Sequence, residues 1–156
     1  MRTIKVLLFA ALALSIAVST GLAAEKGFEA KLSGKEVRPK AVATHATGEV
    51  KIMPGEYGQL SYTLKVRNID NVTAAHIHAG KKGKEGPPVV GLFGGPPKEG
   101  KFSGELATGV IADKDLVGPL AGKTIDDLIK MIKSGDAYVN VHTTAHPGGE
   151  VRGQIK

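Results

Sequence analysis

Apolar side chains in this chain recur at every second residue, in short runs separated by glycine and proline. Few arrangements are compatible with that pattern. Alternation of period two describes a strand with one face covered and the other wet, whereas a helix would repeat near every third or fourth residue. The clearest run is Gln59 to Val66, with Leu60, Tyr62, Leu64 and Val66 on one face. Phe28, Ala30 and Leu32 alternate in the same way near the start, and Val50 and Ile52 follow Gly48. The block from Ala137 to Lys156 reads as strand, tight turn and strand. Val139 and Val141 alternate with Tyr138, Asn140 and His142, then Pro147-Gly148-Gly149 breaks the chain. Beyond the break Val151, Gly153 and Ile155 share one face, and Glu150, Arg152 and Gln154 share the other.

Between these blocks lie further strand candidates. They are Asn71 to His78, the apolar run Val89 to Phe93, and Lys101 to Leu106 with Phe102 and Leu106 inward. Thr108 to Leu120 shows no period and reads as irregular. One segment is helical: Thr124 caps it, Asp127 completes a capping box, Ile125, Leu128, Ile129 and Ile132 form its apolar stripe, and Gly135 stops it. About eight short strands with one short helix predict an all-β chain, an antiparallel sandwich or Greek-key barrel.

The first residues have a different character. Arg2 and Lys5 precede an apolar run from Val6 to Val18 and small residues through Ala24. This is the layout of a secretory signal peptide over residues 1–24, cleaved after Ala23 or Ala24, with a domain over residues 25–156. The alternative, a membrane anchor, is short of the roughly 20 apolar residues needed to span. The address implied is the periplasm or the cell exterior, with no membrane attachment after cleavage. The chain has no cysteine, so neither a lipid-anchor cysteine nor a disulfide enters the account. Loss of Arg2 and Lys5 lowers the formal net charge from +6 to +4. The one basic cluster, Lys81-Lys82-Gly83-Lys84, has no interleaved aromatics and reads as a solvated loop, which argues against nucleic acid as a partner. Nothing in the sequence names a protein partner.

Four of the five histidines fall in two strand-turn blocks: His76 and His78 in one, His142 and His146 in the other. His45 stands apart in a small polar stretch and reads as a surface residue. His76 and His78 would point the same way from a strand. Several neutral imidazoles converging on one point suit copper, with zinc as the alternative, better than the oxygen-seeking magnesium or calcium. His76, His78, His142 and His146 are therefore the candidate metal ligands. The competing reading is structural, with His76 or His142 bonded to turn carbonyls and Asn140 and Thr143 completing the network. Glu150 and Arg152 share a strand face. A salt bridge or hydrogen bonds pinning the last strand is the favoured reading there, over an anion-guiding Arg152.

A series of motifs runs in order along the chain: Phe28-Glu-Ala-Lys-Leu-Ser-Gly34 followed by Glu36-Val37, Ala46-Thr47-Gly48, and Ala74-Ala75-His76-Ile77-His78-Ala79-Gly80. They continue with Gly86-Pro87-Pro88-Val89-Val90, Phe102-Ser103-Gly104 and the block from Gly135 onward. Together they resemble the CHRD domain, first described in chordin and also found in small secreted bacterial proteins. Arg38 departs from the family's usual proline, in a loop. The pair His76-Ile77-His78 with the later Val141-His142 is also similar to the copper ligands of the copper/zinc superoxide dismutases, Greek-key β-barrels. That resemblance implies the geometry of a copper site. It stops short of the enzyme, because the dismutases' separate zinc cluster and disulfide cysteines have no counterpart here.

Three functions follow as expectations. The first is a small exported binding module that takes copper through its histidines. The second is an extracellular interaction or matrix module whose histidines are structural. The third, least favoured, is a redox enzyme of dismutase type. Hydrolase signatures are missing: there is no cysteine, no Gly-x-Ser-x-Gly and no His-Glu-x-x-His.

Overall fold

The computed structural model describes residues 26–156. The proposed signal peptide, residues 1–24, lies outside the described residues. Seven strands and one α-helix follow in chain order: β1 (Phe28–Ser33), β2 (Thr47–Pro54), β3 (Leu60–Ala79), β4 (Pro88–Phe93), β5 (Lys98–Ile111), α1 (Ile125–Lys133), β6 (Ala137–Thr143) and β7 (Val151–Gln154). Every strand pairing is antiparallel. β1, β2, β3, β6 and β7 close into a ring, so the expected all-β fold takes the barrel form. The seam between β7 and β1 is the thinnest. It holds the Ser33–Arg152 pair and, beyond the strand end, reciprocal 2.9 Å backbone bonds between Glu29 and Lys156.

The alternating faces found in the sequence point into this barrel. Ala30, Leu32, Val50, Ile52, Leu60, Leu64, Val66, Val139, Val141, Val151 and Ile155 are all buried in one core. α1 adds Ile125, Leu128 and Ile132 to it. Its N-terminus is held by the Asp127 carboxylate, which accepts hydrogen bonds from the Thr124 N–H (3.2 Å) and hydroxyl (3.0 Å). Its C-terminus closes in a Schellman pattern: Gly135, at φ 76°, donates to the Ile132 carbonyl and Asp136 to that of Met131.

Three expectations change. β3 is one strand of 20 residues where the sequence suggested two. Asn68 and Asn71 sit in its middle at φ 52° and 51°, and its register against β5 shifts at each of them, between Val66 and Ile69 and between Asp70 and Val72. Asparagine tolerates the left-handed region, so the strand bends without ending. That fusion leaves seven strands, two of them long, in place of about eight short ones. Thr108 to Ile111 belongs to β5, paired with Leu60 to Thr63, and is not irregular. The small residues Ala107 and Gly109 conceal the period there. Finally, β6 is covered on both faces. Only His142 among its residues is more than marginally exposed, so the half-buried strand expected there is fully buried.

Candidate metal centre

The C-terminal half of β3 lies between β6 and β4. His76 is opposite Asn140, and His78 is opposite Tyr138. His142 is opposite Ala74, diagonal to His76 and within reach of a long side chain on the same face. The three rings gather there. Centroids are 5.7 Å apart for His76–His78, 5.3 Å for His76–His142 and 5.8 Å for His78–His142. One ring nitrogen from each lies within 4.8 Å of those from the other two.

Hydrogen bonds set the protons on these rings. The His78 Nδ1–H donates to the Gly86 carbonyl at 2.9 Å, and the His142 Nδ1–H donates to that of Pro147 at 2.8 Å. A carbonyl oxygen only accepts, so the proton of each neutral ring resides on Nδ1 and the Nε2 lone pair is free. Both Nε2 atoms, and His76 Nδ1, are buried with no hydrogen-bond partner. A buried nitrogen left unpaired costs about 1–3 kcal/mol, so three in one place need an explanation. Burial holds His76 and His78 below the ordinary histidine pKa, and positive charge on the neighbouring histidines pushes the same way. The His76 and His78 rings are thereby biased toward the neutral form that binds metal, and the three-histidine cluster can hold a metal ion.

A second layer supports them. Tyr138 stacks on the His78 ring (5.0 Å, 15°), and the Arg152 guanidinium lies 3.4 Å from the tyrosine centroid. Arg152 donates to the Lys84 carbonyl at 2.6 Å. The Gly86 N–H donates to the Tyr138 hydroxyl at 3.1 Å. Together these contacts fasten the Gly80–Gly86 loop over the outer face of β6. Gly86 is the one residue type that fits, because a Cβ there would run into the Ala79 carbonyl oxygen. The other ligand block is organised by Glu150. Its carboxylate accepts from the Thr44 hydroxyl (2.7 Å) and the Thr143 hydroxyl (2.8 Å). Asn140 Nδ2 donates to the Gly148 carbonyl at 3.0 Å, and Gly149, at φ 119°, leaves room for that amide. The turn that presents the Pro147 carbonyl to His142 is thereby set.

The structure brings together His76, His78 and His142. His146 is outside the group; its backbone N–H donates to the Thr143 hydroxyl at 3.1 Å. His45 is exposed, as expected. Arg152 and Glu150 pin their surroundings by hydrogen bonds and do not pair with each other; among the described residues the one ion pair is Lys130–Asp127. Tyr138 and Gly86 were not singled out by sequence. Tyr138 needed the β3–β6 register to reveal that it faces His78, and Gly86 contributes only its backbone.

The family model of the CHRD domain matches residues 28–155. The chain belongs to the CHRD domain family. That span covers every strand, the helix and all three clustered histidines of this CHRD domain. No curated protein and no solved structure matches the chain.

Proposed function

We propose that this CHRD domain is an exported metal-binding module that holds copper(II), with zinc the next candidate, through His76 Nδ1, His78 Nε2 and His142 Nε2. The observation that carries the reading is that His76, His78 and His142 each bring one ring nitrogen within 4.8 Å of the other two, in a cluster where one buried nitrogen of each ring has no hydrogen-bond partner. Two of those rings are oriented by carbonyls through their other nitrogen, the outer-shell arrangement that fixes histidine ligands elsewhere. The structural and metal-binding roles expected as rivals thus use different atoms of the same side chains. Copper is preferred because the donors are three neutral nitrogens with no thiolate or carboxylate among them, and affinity at such a site peaks at Cu²⁺. Three ligands leave a further coordination position for water or a small ligand. Export to the periplasm or the cell exterior rests on the N-terminal pattern. Among the described residues no helix is long and apolar enough to cross a membrane.

Calorimetric titration of Cu²⁺ and Zn²⁺ into tag-free protein tests this. One ion binds per chain, and a ligand at about 100 times its dissociation constant stabilises the fold by about 2.7 kcal/mol. His76→Ala, His78→Ala and His142→Ala each remove most of that gain. His45→Ala and His146→Ala leave it intact; a loss in His146→Ala as large as in His142→Ala would return His146 to the ligand set. Absence of any bound copper or zinc in the wild type would leave the histidines as a structural network.

A further inference from the structure

We propose a saccharide-binding site at the other end of β3, centred on Tyr57 and independent of the metal reading. The β2–β3 hairpin turns through Tyr57 (φ 56°, ψ 32°) and Gly58 (φ 73°), with the Gln59 N–H donating to the Glu56 carbonyl at 3.1 Å. Two consecutive left-handed residues make a turn that favours asparagine, aspartate or glycine at its first position. The other described non-glycine residues in that conformation, Asn68 and Asn71, follow the rule; Tyr57 does not. Nor does the fold bury its side chain, the residue being 93% exposed. The backbone accounts for the turn but not for a tyrosine in it, and such a departure at the rim of a cavity points to a ligand.

The cavity beside it measures about 540 Å³, and Gln59, Asp113, Lys114, Thr124 and Asp126 share its lining with Tyr57. Asp113 Oδ1 is engaged by the Ile125 N–H at 2.7 Å. Neither Asp113 nor Asp126 forms an ion pair with Lys114. An accessible aromatic face beside carboxylates, an amide and an ammonium matches a pyranose. The sugar's C–H face lies on the ring, and its rim hydroxyls donate to carboxylate and accept from amide and ammonium. Two carboxylates against one ammonium disfavour a phosphate or another anion.

The test begins with cellotriose and chitotriose titrated into the purified protein, observed at the Tyr57 ring signals by NMR. A panel of neutral oligosaccharides then extends it. At least one neutral sugar shifts those signals, Tyr57→Ala weakens it about tenfold or more, and Asp126→Asn about tenfold. Tyr57→Asn also abolishes binding while raising Tm, because asparagine suits the turn better. His76→Ala leaves sugar affinity unchanged, so this site and the metal centre stand or fall separately. Failure of every neutral sugar to bind would overturn the proposal, as would binding that survives Tyr57→Asn or a Tm that drops in that variant. Insertion of Tyr57 into phosphatidylcholine vesicles with no sugar response would assign the ring to a lipid surface instead.

Discussion

β5 and β6 both pair antiparallel with β3, yet they differ in almost everything else. β6 is buried at every position but His142, whereas Ile111 is the one buried residue of β5. The five buried polar side chains, His78, Asn140, Thr143, Glu150 and Arg152, all lie on β6 or on the chain that packs around it. The difference comes from what lies outside the barrel. The Gly80–Gly86 loop and the Thr143–Glu150 turn cover the outer face of β6 through side-chain hydrogen bonds. The outer face of β5 remains largely exposed. Burying a polar side chain is costly unless most of its polar atoms find partners. The second layer therefore holds the clustered imidazoles in place, while β5 serves the fold as a solvated strand.

The largest break in this comparison is Gly86→Ala. The added methyl collides with the Ala79 carbonyl, and the displaced loop takes with it the acceptor of His78 and the partner of Tyr138. We expect a loss of about 3 kcal/mol or more in urea unfolding, together with weakened metal binding. Gly91→Ala in β4, where a Cβ meets nothing within 4 Å, stays close to wild type. Equal stability of the two variants would mean that the loop does not clamp the site.

Next is Val139→Thr, an isosteric change on β6 at a fully buried position. It places a hydroxyl among apolar neighbours, at a cost of about 1–3 kcal/mol. Retention of the wild-type urea midpoint would show that the barrel interior at β6 is wetter than its burial implies.

The ion-free protein also carries a pH signature at the two histidines beside β6. Burial lowers the pKa values of His76 and His78 in the folded state, so the unfolded chain binds more protons as pH falls. Their contribution to stability is complete above about pH 6.5. It is lost as pH falls from there through the depressed folded values. Because His76 is only half-buried, and the hydrogen bond to the Gly86 carbonyl offsets part of the burial effect on His78, the slope is modest. The double variant His76→Ala/His78→Ala flattens it between about pH 7 and pH 5. An unchanged slope in that variant would place the titration elsewhere. Metal affinity should likewise persist below the ordinary histidine pKa, since protons compete less well for these rings.

Period-two alternation made the barrel legible, because it is set locally by the side chains that face the core. Ala30, Leu32, Leu64, Val139 and Val151 each carry that signal. It failed where the structure depends on pairing across the chain. Asn68 and Asn71 look like a loop until β5 is seen to continue past them, and Ala107 to Gly109 have too little apolar content to show a period. At the site, the His-x-His spacing and His142 were legible. The position of His146 was not, because four residues of separation across a turn do not fix where its ring goes. Tyr138 opposite His78 depends on register, and Gly86 on a backbone carbonyl that no residue type announces.

The smallest expected effect completes the contrast with β6. Val110 on β5 is 56% exposed. Val110→Thr repeats the β6 substitution on the other flank of β3. Threonine keeps the branched Cβ that suits a strand, and its hydroxyl finds water. The change should lie within about 0.5 kcal/mol of wild type in urea unfolding. Should it cost as much as Val139→Thr, the outer face of β5 would have to be covered in solution, by a second copy of the chain. Unfolding midpoints that rise with protein concentration would then identify that covering, and the asymmetry between β5 and β6 would belong to the monomer alone.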